Sequence, residues 1–458
     1  MRQLSPVLST QAPISMGRLS VKASATLLLL SQALRVPSRT HTSRGILPVE
    51  AHPEEQHSSL EVSWILLLAQ TKAVLSEYLR LFADVSVYAY QHVENMRLIR
   101  TLGVGFKPTH GLVPYTGVTS GDAIDDHTGP LARSVLDTAT CLDAIAGYDG
   151  IDDRSLGSGA HGSFQFAKSL ESTSNTTQPL SGLKVGILVE GFQQQIVRPK
   201  VRDLVLSAAK NFEQLGATVK EVSVPSHLDG PLIWTIQQRV SGAAGVLGQA
   251  HGRRGLYLTE FEQARLPWTA ENFDKLFPST KNTVINGLYL SKKFPGLYGK
   301  CVNVGRRIRD AYQQAFEEFD IIVMPTTPYA APRHGSRESP RSCFEPSIGL
   351  TTNTAIFNVT GHPAMTMPVG LTQASDDPEV LLPVGMQIVG GLWQEKKILQ
   401  AGHAWETNFD WKKVISGEGP ETSSGAAVEK KLHEADISID EKSLLKDAVS
   451  IDVAVAAK

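Results

Sequence analysis

The chain predicts an α/β fold, a large mixed β-sheet with helices on both faces, and three stretches carry that expectation. Leu183–Val189 is a short, β-branched apolar run. Pro199–Leu215 is a helix with Val201, Leu204, Val205, Ala208, Phe212 and Leu215 on one face, and Thr218–Val224 returns as a strand. Strand, helix and strand with short joints make a βαβ unit, so parallel strands lie under a covering helix. Next, a helix over Val302–Phe319 feeds the apolar strand Asp320–Pro325, which a proline closes. Third, Val384–Val389 reads as a strand, Gly390-Gly391 as a turn and Gln394–Glu406 as a helix.

The remaining elements follow in chain order. Residues 1–59 read as a low-order leader ending in a polar cluster. Leu60 to about Gln91 has the spacing of one long helix, with Leu67, Val74, Tyr78, Leu81 and Val85 as its apolar stripe, and residues 60–102 form a divergent helical segment. Gly103, Gly105, Gly111 and Gly117, with Pro108 and Pro114, suit a tightly turned segment where backbone approaches backbone or substrate. Arg133–Ala146 carries helical spacing, and Gly147 stands where a C-terminal cap belongs. Leu156–Leu180 is rich in Ser, Thr and Gly and reads as a long surface loop. Pro231–Gly299 is mostly helical, with Gly242, Gly245 and Gly248 permitting close packing rather than cradling a phosphate. Residues 411–458 form a charged tail, expected to be disordered or to make a loosely attached helix.

Composition narrows the function classes. An apolar fraction of 41%, a charged fraction of 20% and a net charge of −2 describe an ordinary globular protein, with no basic excess to recruit nucleic acid. No apolar run approaches the length of a membrane-spanning helix. Cys141, Cys301 and Cys343 are far apart and form no CxxC pair, which argues against a zinc site or a disulfide framework and fits a reducing, cytoplasmic setting. The leader carries Arg2, Arg18, Lys22, Arg35, Arg39 and Arg44 and no acid before Glu50, the composition of a mitochondrial targeting segment. No motif calls for a metal, flavin, nucleotide or other cofactor.

Four blocks of glycine, proline and charged residues stand out in order along the chain. The first is Gly105–Gly117, with Gly105, Lys107, Pro108 and Gly111. The second is Asp126–Asp137, with Asp126, Gly129, Pro130, Arg133 and Asp137, followed by Leu142–Asp149. Phe319–Pro328 is the third. The fourth runs Asn358–Gly370, with Asn358, Gly361 and Pro363, then Leu382–Gly390, with Gly385 and Gln387. In wording and order these blocks resemble the second half of the pattern of the amidase signature family, serine hydrolases of carboxamide C–N bonds, and the resemblance implies a partial amidase-like domain over 103–410, incomplete at its N-terminal side. Read physically, Asp126, Arg133 and Asp137 are expected to form a charge network at a helix start. The glycines of the fourth block are expected where sheet and helix pack closely, with Gln387 orienting a loop. His127, His362 and His403 lack a partnered nucleophile and are read as structural.

Amide hydrolysis needs an activated nucleophile, a base and donors for the oxyanion. The resemblance implies two serines and a lysine for these roles, in a Gly/Ser-rich stretch upstream of Lys107. Counting back without gaps puts the nucleophile at Val93 and the pair after it at Glu94-Asn95, and the only upstream lysines are Lys22 and Lys72. No residue is therefore assigned a catalytic role, nor do Ser120, Ser158 or Ser163 stand in a nucleophile turn with an acid and a histidine. The resemblance implies hydrolysis of a small carboxamide to carboxylate and ammonia or amine. The alternative is a catalytically inactive relative that retains binding. The expected partner of an active chain is a small-molecule amide, with a homodimer left open.

Overall fold

The computed structural model describes residues 103–414, apart from 119, 174–175, 267, 334, 337–338, 376 and 378. The expected leader, the 60–102 segment and the tail past Val414 lie outside the described residues. Among the described residues seven strands form one sheet: β1 (Val104–Lys107), β2 (Leu131–Ala132), β3 (Lys184–Leu188), β4 (Thr218–Val222), β5 (Ile321–Pro325), β6 (Ala364–Gln373) and β7 (Leu381–Gly390). Their order is β2-β1-β6-β7-β5-β3-β4. β3 is parallel to β4 and β5, and the other pairs are antiparallel, so the sheet is mixed as expected.

Seven helices frame the sheet and the site: α1 (Val135–Ile145), α2 (Pro199–Gln214), α3 (Gly230–Val246), α4 (Pro278–Lys293), α5 (Leu297–Glu318), α6 (Ala355–Thr360) and α7 (Glu395–Asn408). Pro199 opens α2 at its first position, where a missing N–H costs nothing. The apolar stripe of α2 is buried from Val201 to Phe212, and Trp405 Nε1 donates to Ala208 O at 3.0 Å, tying α7 to α2. Both sheet faces are covered. Met365 points towards Gly402 of α7, whereas its neighbour Thr366 lies opposite Gln387 and points the other way, towards the segment leading into α6. On that side α5 and α3 pack on α6, with α4 against α3. The closest approach is at Gly287, where a Cβ would stand 2.0 Å from Arg239 O.

The structure corrects several expectations. Gly105 lies not in a turn but in β1, paired with Leu131 on one side and Thr366 on the other. The predicted surface loop 156–180 contains the short helical turns Phe166–Ser169 and Leu170–Thr173, and Phe166, Leu170 and Leu180 are buried. An Asp143 carboxylate from α1 accepts from Phe166 N (2.7 Å) and Ala167 N (3.0 Å), a cap supplied from a distant part of the chain. The first tail residues belong to the domain: Trp411–Lys413 is a helical turn, and Leu371 N donates to Val414 O at 2.8 Å.

Candidate functional site

Three of the four motif blocks meet where β1 ends. Lys107 closes the strand with its side chain buried, and its ammonium donates to the carbonyls of His362 and Pro108. Burial holds that amine well below the usual lysine range, against the pull of Glu395. Glu395, at the start of α7, is buried too and its carboxyl is raised for the same reason, while its Oε1 accepts from Thr109 N at 2.8 Å. His110 N donates to Gly361 O at 3.0 Å, and Gly361 caps α6 in the left-handed region at φ 77°. From the second block, Phe106 N donates to Pro130 O (2.9 Å), and a Cβ on Gly129 would stand 2.0 Å from Phe106 O. Gly111, at φ 84°, passes so close to Arg154 O that a Cβ would lie 2.2 Å away. Pro363 O accepts from Gly390 N at 3.1 Å.

Beyond Gly111 the chain folds into a polar loop. Tyr115 N donates to Asp152 Oδ2 at 2.7 Å, the Arg154 guanidinium sits 3.7 Å above the Tyr115 ring, and the Tyr115 hydroxyl donates to Asp126 O. Asp126 Oδ2 accepts from Ser120 Oγ (2.8 Å), Gly121 N (2.6 Å) and Asp122 N (3.0 Å). Thus Asp126 organises its own loop. The start of α1 is held instead by Ser134, which caps Asp137 N at 3.1 Å, and by Glu406 Oε2, which accepts from Val135 N at 2.9 Å, while Arg133 is exposed at the end of β2. The Asp126 carboxylate is thus taken up by amides of its own loop, while backbone N–H groups at the start of α1 are satisfied by Ser134 and Glu406.

The remaining motif residues gather at a second buried node around Asn353, which the sequence did not single out. Asn353 Nδ2 donates to Gly191 O (3.0 Å) and to Pro325 O (2.8 Å), the exit of the third block. Its backbone carbonyl accepts from Gln387 Nε2 at 3.0 Å, so Gln387 does fix a loop through its amide. Asn353 Oδ1 accepts from Gln194 Nε2 (3.0 Å) and from His227 Nε2 (3.2 Å). With Nε2 donating, His227 Nδ1 accepts from the Tyr312 hydroxyl at 2.7 Å. Burial lowers the His227 imidazole to about 4. Gly385 is confined by strand neighbours rather than by a helix: a Cβ would meet Thr366 Oγ1 at 2.8 Å and Thr326 Oγ1 at 3.0 Å. Asn358 is buried on α6.

The polar side chains around these nodes are engaged mostly with backbone carbonyls and amides. Ser158 and Ser163 donate to the carbonyls of Ser155 and Ala160 at 2.7 Å each, and His161 bonds Ala146 O at 3.0 Å. These three make no nucleophile–base pair. Ser120 donates to Asp126, which two backbone amides already occupy. His127 and His362 are buried with burial-depressed imidazoles; His127 Nδ1 contacts Asp125 O at 2.9 Å, and His362 contacts Thr360 Oγ1 at 2.9 Å and Gln313 Oε1 at 3.2 Å. His403 is half-buried on α7, and its neighbour Gly402 packs against the sheet. Among the described residues no group of three or more His, Cys, Asp or Glu could hold a metal ion, and no helix is long and apolar enough to cross a membrane.

Comparison with known proteins agrees with this geometry. The family described as Amidase matches residues 102–399, and the chain belongs to that family. An enantioselective amidase of Rhodococcus rhodochrous is 32% identical over 296 residues, covering 63% of this chain and 53% of the relative. A glutamyl-tRNA(Gln) amidotransferase subunit of Marinomonas sp. (strain MWYL1) is 30% identical over 312 residues, covering 67% and 60%. Among solved structures, 6-aminohexanoate cyclic dimer hydrolase complexed with substrate superposes with TM-score 0.53 at 22% identity, over 69% of this chain and 62% of that one. A bacterial aryl acylamidase of the amidase signature family gives 0.51 at 21%, over 67% and 58%. These likenesses establish the fold. The chain spans only 53% to 60% of the length of the two curated relatives.

Proposed function

We propose that the protein hydrolyses the C–N bond of a small carboxamide, with residues 103–414 as the frame that positions a hydroxyl nucleophile and its base from outside that span. The observation carrying this reading is the convergence of Lys107, Gly129 and Gly361 at the end of β1, where three of the four motif blocks meet beside Glu395. The names of the relatives support the class: an enantioselective amidase and an aryl acylamidase each act on amides. Three free thiols, Cys141, Cys301 and Cys343, support a reducing compartment.

A second reading, a non-hydrolytic relative that binds an amide, is favoured by one specific observation. Val93 stands at the expected nucleophile position, and the hydroxyls of Ser158 and Ser163 are committed to backbone carbonyls. One experiment separates the two. The full chain is treated with a serine-directed fluorophosphonate and, in parallel, with benzamide under an ammonia assay. Hydrolysis predicts one labelled serine, mapped by mass spectrometry, and ammonia release that the label abolishes. A chain that takes no label and releases no ammonia is the binding relative.

A further inference from the structure

Helix α4 has two unlike faces. Thr283, Val284 and Gly287 form its buried side, held to α3 at Gly287 and by the bond of 2.7 Å from Arg239 Nη1 to Thr283 Oγ1. On the opposite side Ile285, Leu288 and Tyr289, neighbours on one helical stripe, are 59%, 40% and 48% exposed. Lys292 stands one turn further along that stripe, and Lys293 ends the helix beside it. The Tyr289 and Phe294 rings meet edge to face with centroids 6.3 Å apart, so the turn into α5 continues the apolar surface. Charge is sorted in the same stretch. Residues 275–309 carry eight Lys and Arg and no Asp or Glu, in a chain whose net charge is −2. Lys275, Lys281 and Arg309 have carboxylates of Glu271, Asp274 and Asp310 at 2.7, 3.6 and 3.9 Å. Lys292, Lys293, Lys300, Arg306 and Arg307 are exposed, and among the described residues none of the five has an ion-pair partner.

An apolar stripe edged by cations calls for an occupant that is apolar where the stripe touches it and anionic around that contact. Two geometric facts narrow the choice. The side chains project from a single helix and line no cleft, and the far side of that helix is held against α3. A partner that wraps around a basic amphipathic helix is thereby refused, whereas a flat surface is admitted. A bilayer carrying anionic headgroups has this layering. Ile285 and Leu288 would sink below the headgroups, the Tyr289 ring would lie at their level, and the Lys292 and Lys293 stems would bring their ammonium groups back up to the phosphates. Two copies joined through this same face would instead set like charges together.

We propose that the exposed face of α4, from Ile285 to Lys293, docks the protein peripherally on an anionic lipid surface. The proposal holds whether or not the chain hydrolyses amides. Co-sedimentation of the full chain with vesicles tests it, using phosphatidylcholine alone and phosphatidylcholine with a quarter phosphatidylserine. The unmodified chain should bind the anionic vesicles, bind the neutral ones far less, and be released by salt of about 0.5 M. Lys292→Glu/Lys293→Glu should weaken that binding on the order of 30-fold. Ile285→Ser/Leu288→Ser, which leaves the charge alone, should weaken it by a similar factor. All four side chains are exposed, so unchanged urea midpoints for both variants show that the fold is intact. No binding to anionic vesicles, or equal binding to neutral ones, overturns the proposal. Equal binding by the unmodified chain and both variants also overturns it, because the contact then lies elsewhere in the chain. So does binding to immobilised polyglutamate with none to vesicles, which would make the partner an acidic protein.

Discussion

At Gly129 the constraint is steric and local. A methyl group there would stand 2.0 Å from the Phe106 carbonyl and 2.8 Å from Pro108 Cδ, and neither backbone can yield without pulling β1 from β6. Gly129→Ala is expected to cost about 3 kcal/mol, read as a lower urea midpoint. The control is Gly150→Ala, where nothing lies within 4 Å and only the φ of 85° opposes the change; it should cost about 1 kcal/mol. His227 makes a second prediction. Its ordinary value near 6.5 holds in the unfolded chain and falls to about 4 in the fold, where burial disfavours the cation. The unfolded state therefore binds the proton first on acidification. The stability that the neutral ring contributes is present above 6.5 and lost as pH falls through 4. Stability of the wild type relative to His227→Gln should thus decline by about 1.4 kcal/mol per pH unit across that window. Urea titrations at several pH values check this, and parallel profiles for the two proteins would contradict it. The sequence marked Gly129, Gly361 and Gln387 through their motif, but not Asn353 or His227. Those two act through partners far along the chain, as in the His227–Tyr312 and Asn353–Pro325 bonds, which no local spacing announces.

Among the elements, α2 was the most legible, because proline at its start, a one-sided apolar stripe and a glycine after its end all agree. Phe212 on that stripe is fully buried against the sheet, so Phe212→Ala should cost about 3–5 kcal/mol in a denaturant titration. The longest strands were harder. β6 contains Pro368 and Gly370, residues that ordinarily demote a run from strand to loop. The sheet tolerates them because the pairing with β7 shifts register between those two positions. β1 was read as a turn for a related reason: its glycine suggests bending, whereas its pairing with β6 on one side and β2 on the other holds it extended. The helical turns at Phe166–Thr173 escaped because their cap is the Asp143 carboxylate from α1.

For the molecule as a whole, alternating strands and helices were enough to foresee a mixed α/β sheet, and four ordered motif blocks were enough to foresee the family. Strand order was not foreseen, because β1 and β6 meet only through long-range pairing. That pairing sets a timetable for the newborn chain. Lys107 and the carbonyl it holds on His362 are 255 residues apart, so at a synthesis rate of about 5–20 residues per second the lysine waits roughly 13–50 s for its acceptor. Throughout that interval β1 has no β6 to bond, and Val104 and Phe106, buried in the finished fold, lack that cover. The protein is thus committed to finishing its sheet late in translation, once the β6–β7 ribbon has emerged.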